Sequence, residues 1–98
     1  MAEEAVRADV WLWRARFCKT RSLAARLIEA GRVRLTRGRQ ETRLDKPART
    51  VKPGDGLVFA LGGRLHAVRV EALGERRGPP GEARTLYSEL DGGGEAAT

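Results

Sequence analysis

The chain is poor in the side chains that most often carry out chemistry, and each scarcity removes a class of function. Cys18 is the single cysteine. No internal disulfide and no cysteine-rich zinc site can form from it, and a lone thiol suits a reducing cytosol. His66 is the single histidine, and it offers neither a Ser-His-acid nor a Cys-His set with any spacing logic. Phosphate-binding loops of the Gly-Lys-Ser/Thr kind are absent, as are metal-ligand clusters. A non-enzyme is therefore expected, with no cofactor, no metal and no small-molecule substrate. No apolar run approaches the roughly 18 residues that a membrane helix needs. The start, MAEEAVRADV, is acidic and polar, which does not read as a secretory signal. The expectation is a cytoplasmic protein without membrane contact. No internal repeat is visible.

What the chain has in abundance is positive charge, unevenly placed. The net charge is +6. Residues 1–52 hold 14 Lys and Arg against 6 Asp and Glu, whereas residues 53–98 hold 5 against 7. A one-sided basic surface attracts polyanions. Arg outnumbers Lys heavily, and Arg brings a planar fork for phosphate and a flat face for bases. An arginine-favouring composition alone does not explain the asymmetry between the halves. At 98 residues the chain fits one small domain with a limited core. Residues 1–7 read as a frayed N-terminal tail, 8–73 as the main domain, 74–90 as a C-terminal extension with a short helix, and 91–98 as a disordered tail.

The densest stretch is DVWLWRARFCKTRSLAARLIEAGRVRL, residues 9–35. Asp9 is placed to cap a first helix. At 100° per residue, Ala8, Trp11, Leu12 and Ala15 share one face, and Val10, Trp13 and Phe17 lie nearly opposite. A helix apolar on two sides is sandwiched between layers, with Arg14 and Arg16 projecting from the flanks. The aromatics can serve as base-stacking platforms or as core anchors; helical spacing on apolar stripes favours anchors. Cys18 is read as a small packing residue, with Lys19 and Arg21 the only support for a reactive thiol. Thr20 is a cap for a second helix over about residues 21–30, with Leu23, Ala24, Leu27 and Ile28 as its buried stripe. Gly31 stops that helix in a left-handed conformation. Lys19, Arg21 and Ser22, at the linking turn and helix start, are well placed for phosphate.

Arg32-Val33-Arg34-Leu35-Thr36 alternates as a strand, with Val33 and Leu35 inward and Arg32 and Arg34 outward. Residues 37–47 lack periodicity and read as an exposed loop, in which Arg37, Arg39 and Arg43 either maintain solvation or touch RNA. Lys52-Pro53-Gly54-Asp55 is a tight-turn signature, and Asp45 and Asp55 read as turn residues. Leu57–Leu61 and Arg64–Leu73 form a hairpin across Gly62-Gly63, with His66 at the surface or half-buried. Ala83, Leu86, Tyr87 and Leu90 are spaced for a short amphipathic helix over 82–90.

The helix hairpin, basic strand, DKPARTVKPGD segment and Pro-Gly-Asp turn resemble the RNA-binding domain named after ribosomal protein S4. WLWRARF, KTRSLA and ERRGPPGEARTLY resemble one branch, the ribosome-associated heat-shock protein 15 family, over about residues 6–90. The resemblance implies an α+β, S4-like (alpha-L) fold over residues 8–73, with the helix hairpin packed on a small curved antiparallel sheet. It implies RNA contacts at Arg16, Lys19, Arg21, Ser22, Arg26, Arg32, Arg34, Lys46 and Arg49; Arg37 and Arg39 join them as loop arginines. The chain departs from the family pattern at Ala8, at Val10 and after Leu35, where the family usually has a short Asn-Gly turn. The 36–45 segment is therefore where it is expected to differ most.

The implied partner is the large ribosomal subunit, through rRNA and peptidyl-tRNA, with recycling or quality control after stalled translation as the task. The expected protein is a monomer that docks a rigid basic face onto folded RNA. An alternative from another class is a targeting module for an RNA-modifying enzyme such as a pseudouridine synthase. A nonspecific RNA or DNA binder is a third reading.

Overall fold

The computed structural model describes residues 4–90. The expected 91–98 tail lies outside the described residues. A two-residue strand β1 (Val6–Arg7) leads into helix α1 (Ala8–Arg14), and α2 (Arg21–Glu29) follows a short link. Strands β2 (Val33–Arg37), β3 (Gln40–Arg43), β4 (Thr50–Val51), β5 (Gly56–Leu61) and β6 (Arg64–Val70) come next. Helix α3 (Pro80–Ala83), a 3-10 turn (Arg84–Leu86) and strand β7 (Tyr87–Glu89) close the described chain. Five strands form one antiparallel sheet in the order β3-β2-β5-β6-β7, and β1 pairs with β4 apart from it. The anticipated α+β arrangement, a helix hairpin on an antiparallel sheet, is the one that forms.

The core follows from the two periodicities. Ala8, Trp11, Leu12 and Ala15 of the first helical segment are buried, as are Ala24 and Ile28 of α2. They meet Val33, Leu35, Leu57, Phe59, Val68 and Val70 from the inner face of the sheet in one cluster. Each large apolar side chain buried there contributes roughly 1.5–3 kcal/mol. Thr20 caps α2 as expected, its hydroxyl accepting from the Leu23 N–H at 3.0 Å.

Both helices end in the same hydrogen-bond pattern. At α2, the Gly31 and Arg32 N–H groups donate to Ile28 O (2.9 Å) and Leu27 O (3.3 Å), with Gly31 at φ 76°. At α1, the Arg16 and Phe17 N–H groups donate to Trp13 O (3.1 Å) and Leu12 O (3.0 Å), with Arg16 at φ 67°. This is the Schellman arrangement, with an arginine at the second site in the position that usually takes glycine. The left-handed residue turns the chain back, so Phe17 lies beyond the helix rather than on its far side. Its ring packs against Phe59 (5.0 Å), His66 (5.6 Å) and Tyr87 (4.7 Å). His66 also stacks on Phe59 at 5.3 Å.

Five expectations are corrected. Asp9 does not cap α1; Arg7 occupies that position without a side-chain bond. Pairing of β1 with β4 starts the helix earlier than Asp9 would, and the Ala8 and Asp9 N–H groups donate to Arg49 O (2.8 Å) and Pro47 O (3.4 Å). Backbone carbonyls thus do the work of a cap, and Val6 and Arg7 are not frayed. Asp9 instead takes Arg7 Nε and Nη2 at 3.1 and 3.0 Å. That hydrogen bond, with the attached charge, raises the Arg7 guanidinium pKa above its ordinary value.

The 37–47 segment is not a loop throughout. β2 and β3 form a hairpin whose register pairs Arg37 with Gln40 across Gly38-Arg39. Gly38, at φ 64°, sits at the first turn position, where a two-residue hairpin of the II′ kind wants positive φ. All four β3 residues are exposed, so no alternation marks them in the sequence.

The returning strand stops at Val70, and the helix expected over 82–90 is confined to Pro80–Ala83 and its 3-10 continuation. Tyr87–Glu89 pairs with Val68–Val70 instead. The free edge of β6 offers unpaired backbone groups, and strand pairing satisfies them where a helix cannot.

Candidate nucleic-acid interface

The helix hairpin has two cationic flanks with different surroundings. On one, the C-terminal segment is laced to α1. Trp11 Nε1 donates to Ala72 O at 2.9 Å, and Arg14 Nη1 donates to Gly74 O at 2.7 Å. Arg16 Nε donates to Gly78 O at 2.7 Å, and Arg77 Nε returns to Trp13 O at 3.1 Å. The Arg77 guanidinium also lies 6.0 Å from the centre of the Trp13 ring, within cation–π range. Trp11 and Trp13 therefore anchor structure, as their spacing suggested.

The other flank carries Lys19, Arg21, Arg26 and Arg32, all exposed. Among the described residues none of these four side chains has a hydrogen-bond or ion-pair partner. Lys19, Arg26 and Arg32 border one groove of about 660 Å³ between α2 and the end of β5. Its floor includes Leu23 and Leu27, expected in the core stripe; Leu23 is in fact 44% exposed. Buried Cys18 also lines it, and burial pushes its thiol pKa up. A thiol held protonated is a weak nucleophile, in line with a packing role. Arg21 and Ser22 begin α2 beside the Thr20 cap, where backbone N–H groups and the helix dipole favour an anion.

Arg32 borders a second, smaller depression with Arg34, Val58 and Leu65. The register sets Arg34 opposite Arg43 on β3 and opposite Val58 on β5, so Arg43 belongs with Arg34 on the outer face. The aperiodic reading of 37–47 left Arg43 out of the principal set; only strand register could have placed it. The Arg34 contact to Glu41 is 3.7 Å with both side chains half-exposed, a pair of small energetic weight.

The remaining candidates go elsewhere. Arg37 donates through Nε and Nη2 to the Asp55 carboxylate at 2.9 and 2.8 Å, and Lys52 N–H reaches the same carboxylate at 2.9 Å. Asp55 is 2% exposed, so Arg37 neutralises a buried charge and locks the β2–β3 hairpin to the Lys52–Asp55 turn. Asp55 is thus more than a turn residue. Arg39 stands at the hairpin tip, exposed. Lys46 and Arg49 stand by the start of α1, whose first N–H groups bond to that segment, at the other end of α1 from the Lys19–Arg21 turn. Arg49 lies 3.5 Å from Asp45 at the surface. Among the described residues no group of three or more His, Cys, Asp and Glu could hold a metal ion. Among the described residues no helix is long and apolar enough to cross a membrane.

Comparison with known proteins bears on this arrangement. The S4 domain family matches residues 6–35, the helix hairpin and the strand after it. A trimeric structure of heat shock protein 15 from Vibrio cholerae matches with a TM-score of 0.77 and 37% identity, covering 89% of this chain and 83% of that one. The chain belongs to the heat shock protein 15 family. The heat shock protein 15 homolog of Haemophilus influenzae is 41% identical over 92 residues, 93% of this chain and 66% of that protein. Heat shock protein 15 of Escherichia coli K12 is 42% identical over 84 residues, 86% of this chain and 59% of that protein. The chain thus spans about six-tenths to two-thirds of the length of these curated relatives.

Proposed function

We propose that this heat shock protein 15 family member is a non-catalytic, cytoplasmic RNA-binding factor of the large ribosomal subunit. It engages rRNA and peptidyl-tRNA on free subunits left by stalled translation, for recycling or quality control. The observation that carries the reading is the set of cations Lys19, Arg21, Arg26 and Arg32 on the S4 hairpin, whose side chains form no ion pair among the described residues. Ser22 joins this face on α2, Arg34, Arg43 and Arg39 extend it along the β2–β3 hairpin, and Lys46 and Arg49 give a secondary contact. Arg16 and Arg37 are assigned to structure instead, since their guanidinium groups already hold a carbonyl and a buried carboxylate. Phosphate neutralisation by such a face makes affinity fall steeply with salt.

Sedimentation of the tagged protein through ribosome gradients, with and without peptidyl-tRNA on the large subunit, tests the reading. Enrichment on loaded large subunits supports it; co-purification with a single RNA-modifying enzyme and no subunits sinks it. The Vibrio cholerae relative is trimeric, and sedimentation equilibrium of the free protein decides between that state and the expected monomer.

A further inference from the structure

The groove beside α2 combines two surfaces that phosphate binding alone does not call for. Its floor is apolar, formed by Phe17, Leu23, Leu27 and Leu61. Its rim carries Lys19, Arg26 and Arg32, and among the described residues no Asp or Glu lines it. Leu23 is 44% exposed there, while Ala24 and Ile28 of the same helix are fully buried. At about 660 Å³ the groove lies in the size range of pockets that take small organic groups.

Building on the RNA-binding reading above, we infer that this groove receives an unpaired nucleobase from the bound RNA. A continuous duplex lays phosphates along the rim and leaves the apolar floor wet. A base swung out of the stack puts its flat apolar face on Leu23, Leu27 and Phe17 while its own phosphates reach the rim cations. Unstacked bases in loops and bulges are the usual targets where RNA is read beyond its shape. Charge complementarity selects this occupant: the rim cations Lys19, Arg26 and Arg32 suit the phosphates on either side of the base.

The test compares two short RNA hairpins that differ only by one bulged 2-aminopurine. The bulged hairpin is expected to bind about tenfold more tightly, with the 2-aminopurine fluorescence changing on binding. Leu23→Ser, uncharged and at an exposed site, is expected to remove that preference and leave affinity for the paired hairpin intact. Photocrosslinking of a bulged 4-thiouridine to the unaltered protein should map to α2 or to the β5–β6 turn, which keeps the test independent of how the variant folds.

Equal, salt-sensitive binding of both hairpins overturns the groove assignment and leaves the RNA-binding reading standing. Binding of neither hairpin nor any ribosomal subunit overturns both. A crosslink confined to residues outside the groove overturns the assignment, as does a Leu23→Ser protein that sheds mass from oligomer to monomer in sedimentation equilibrium.

Discussion

Where α1 meets the C-terminal segment, Arg14, Arg16 and Arg77 each close on a backbone carbonyl. Along α2, Lys19, Arg21, Arg26 and Arg32 close on nothing among the described residues. The side chains are of the same type and the flanks belong to the same hairpin. The difference lies in what stands opposite: an irregular C-terminal segment with carbonyls to satisfy on one flank, open solvent over an apolar floor on the other. Positive charge in this fold therefore has two uses, and counting it does not separate them. A guanidinium that satisfies buried acceptors stabilises the protein; one left without a partner is available to an external anion.

Substitutions across the two groups sharpen that contrast. The largest effect on folding is expected from Arg37→Ala, which leaves the buried Asp55 carboxylate without its cation. Denaturant titration should show a loss of about 3 kcal/mol, with RNA affinity of the folded fraction unchanged. The double variant Arg26→Ala/Arg32→Ala should behave in the opposite way. Its unfolding midpoint should stay in place while RNA affinity drops by roughly 30-fold and the salt slope becomes shallower by about 2. Unchanged affinity across salt would dissolve the distinction between the two flanks.

Trp11→Phe removes the bond to the Ala72 carbonyl and should cost about 1–2 kcal/mol of stability; loss of RNA binding without loss of stability would move Trp11 to the interface. Arg16→Gly relieves a left-handed arginine but gives up the bond to Gly78. Thermal melts should show a net change below about 1 kcal/mol, and binding assays no loss of affinity. The smallest effect concerns Cys18. Burial raises its native pKa, so the folded state holds the thiol proton more tightly than the unfolded state does. That contribution is present below the unfolded thiol pKa and is lost as pH rises through the folded one. Alkylation of the native protein should accordingly be slow near neutral pH and speed up only in alkali or denaturant.

The ends of the two helices show what a sequence can disclose. Gly31 and Arg16 occupy the same left-handed position in the same hydrogen-bond pattern. The glycine announces it, because left-handed φ carries no steric penalty there. The arginine does not, because its conformation is held from outside, by the Gly78 carbonyl and by Phe17 packing among Phe59, His66 and Tyr87. In the same way the Thr20 cap and the alternation of Val33 and Leu35 were readable from neighbours a few residues away. β3 was not, since a strand wet on both faces has no alternation to read. Tyr87–Glu89 carries a helical signal, since Ala83, Leu86, Tyr87 and Leu90 repeat at helical spacing, yet it forms a strand. The free edge of β6, some twenty residues earlier in the chain, outweighed that local pattern.

For the candidate interface the division is similar. By itself the sequence determined the helix hairpin, the basic front half and the cluster of Lys19, Arg21, Ser22, Arg26 and Arg32 around it, because these depend on composition and on contacts within one or two helical turns. Only the tertiary structure decided which cations are free. Arg37 meets Asp55 across 18 residues, and Arg14 meets Gly74 across 60. Such partners are chosen by how the sheet and the C-terminal segment fold over α1, and no local pattern encodes them. The same packing leaves Leu23 at the surface beside unpartnered cations, so the groove exists only once α2 and β5 are side by side.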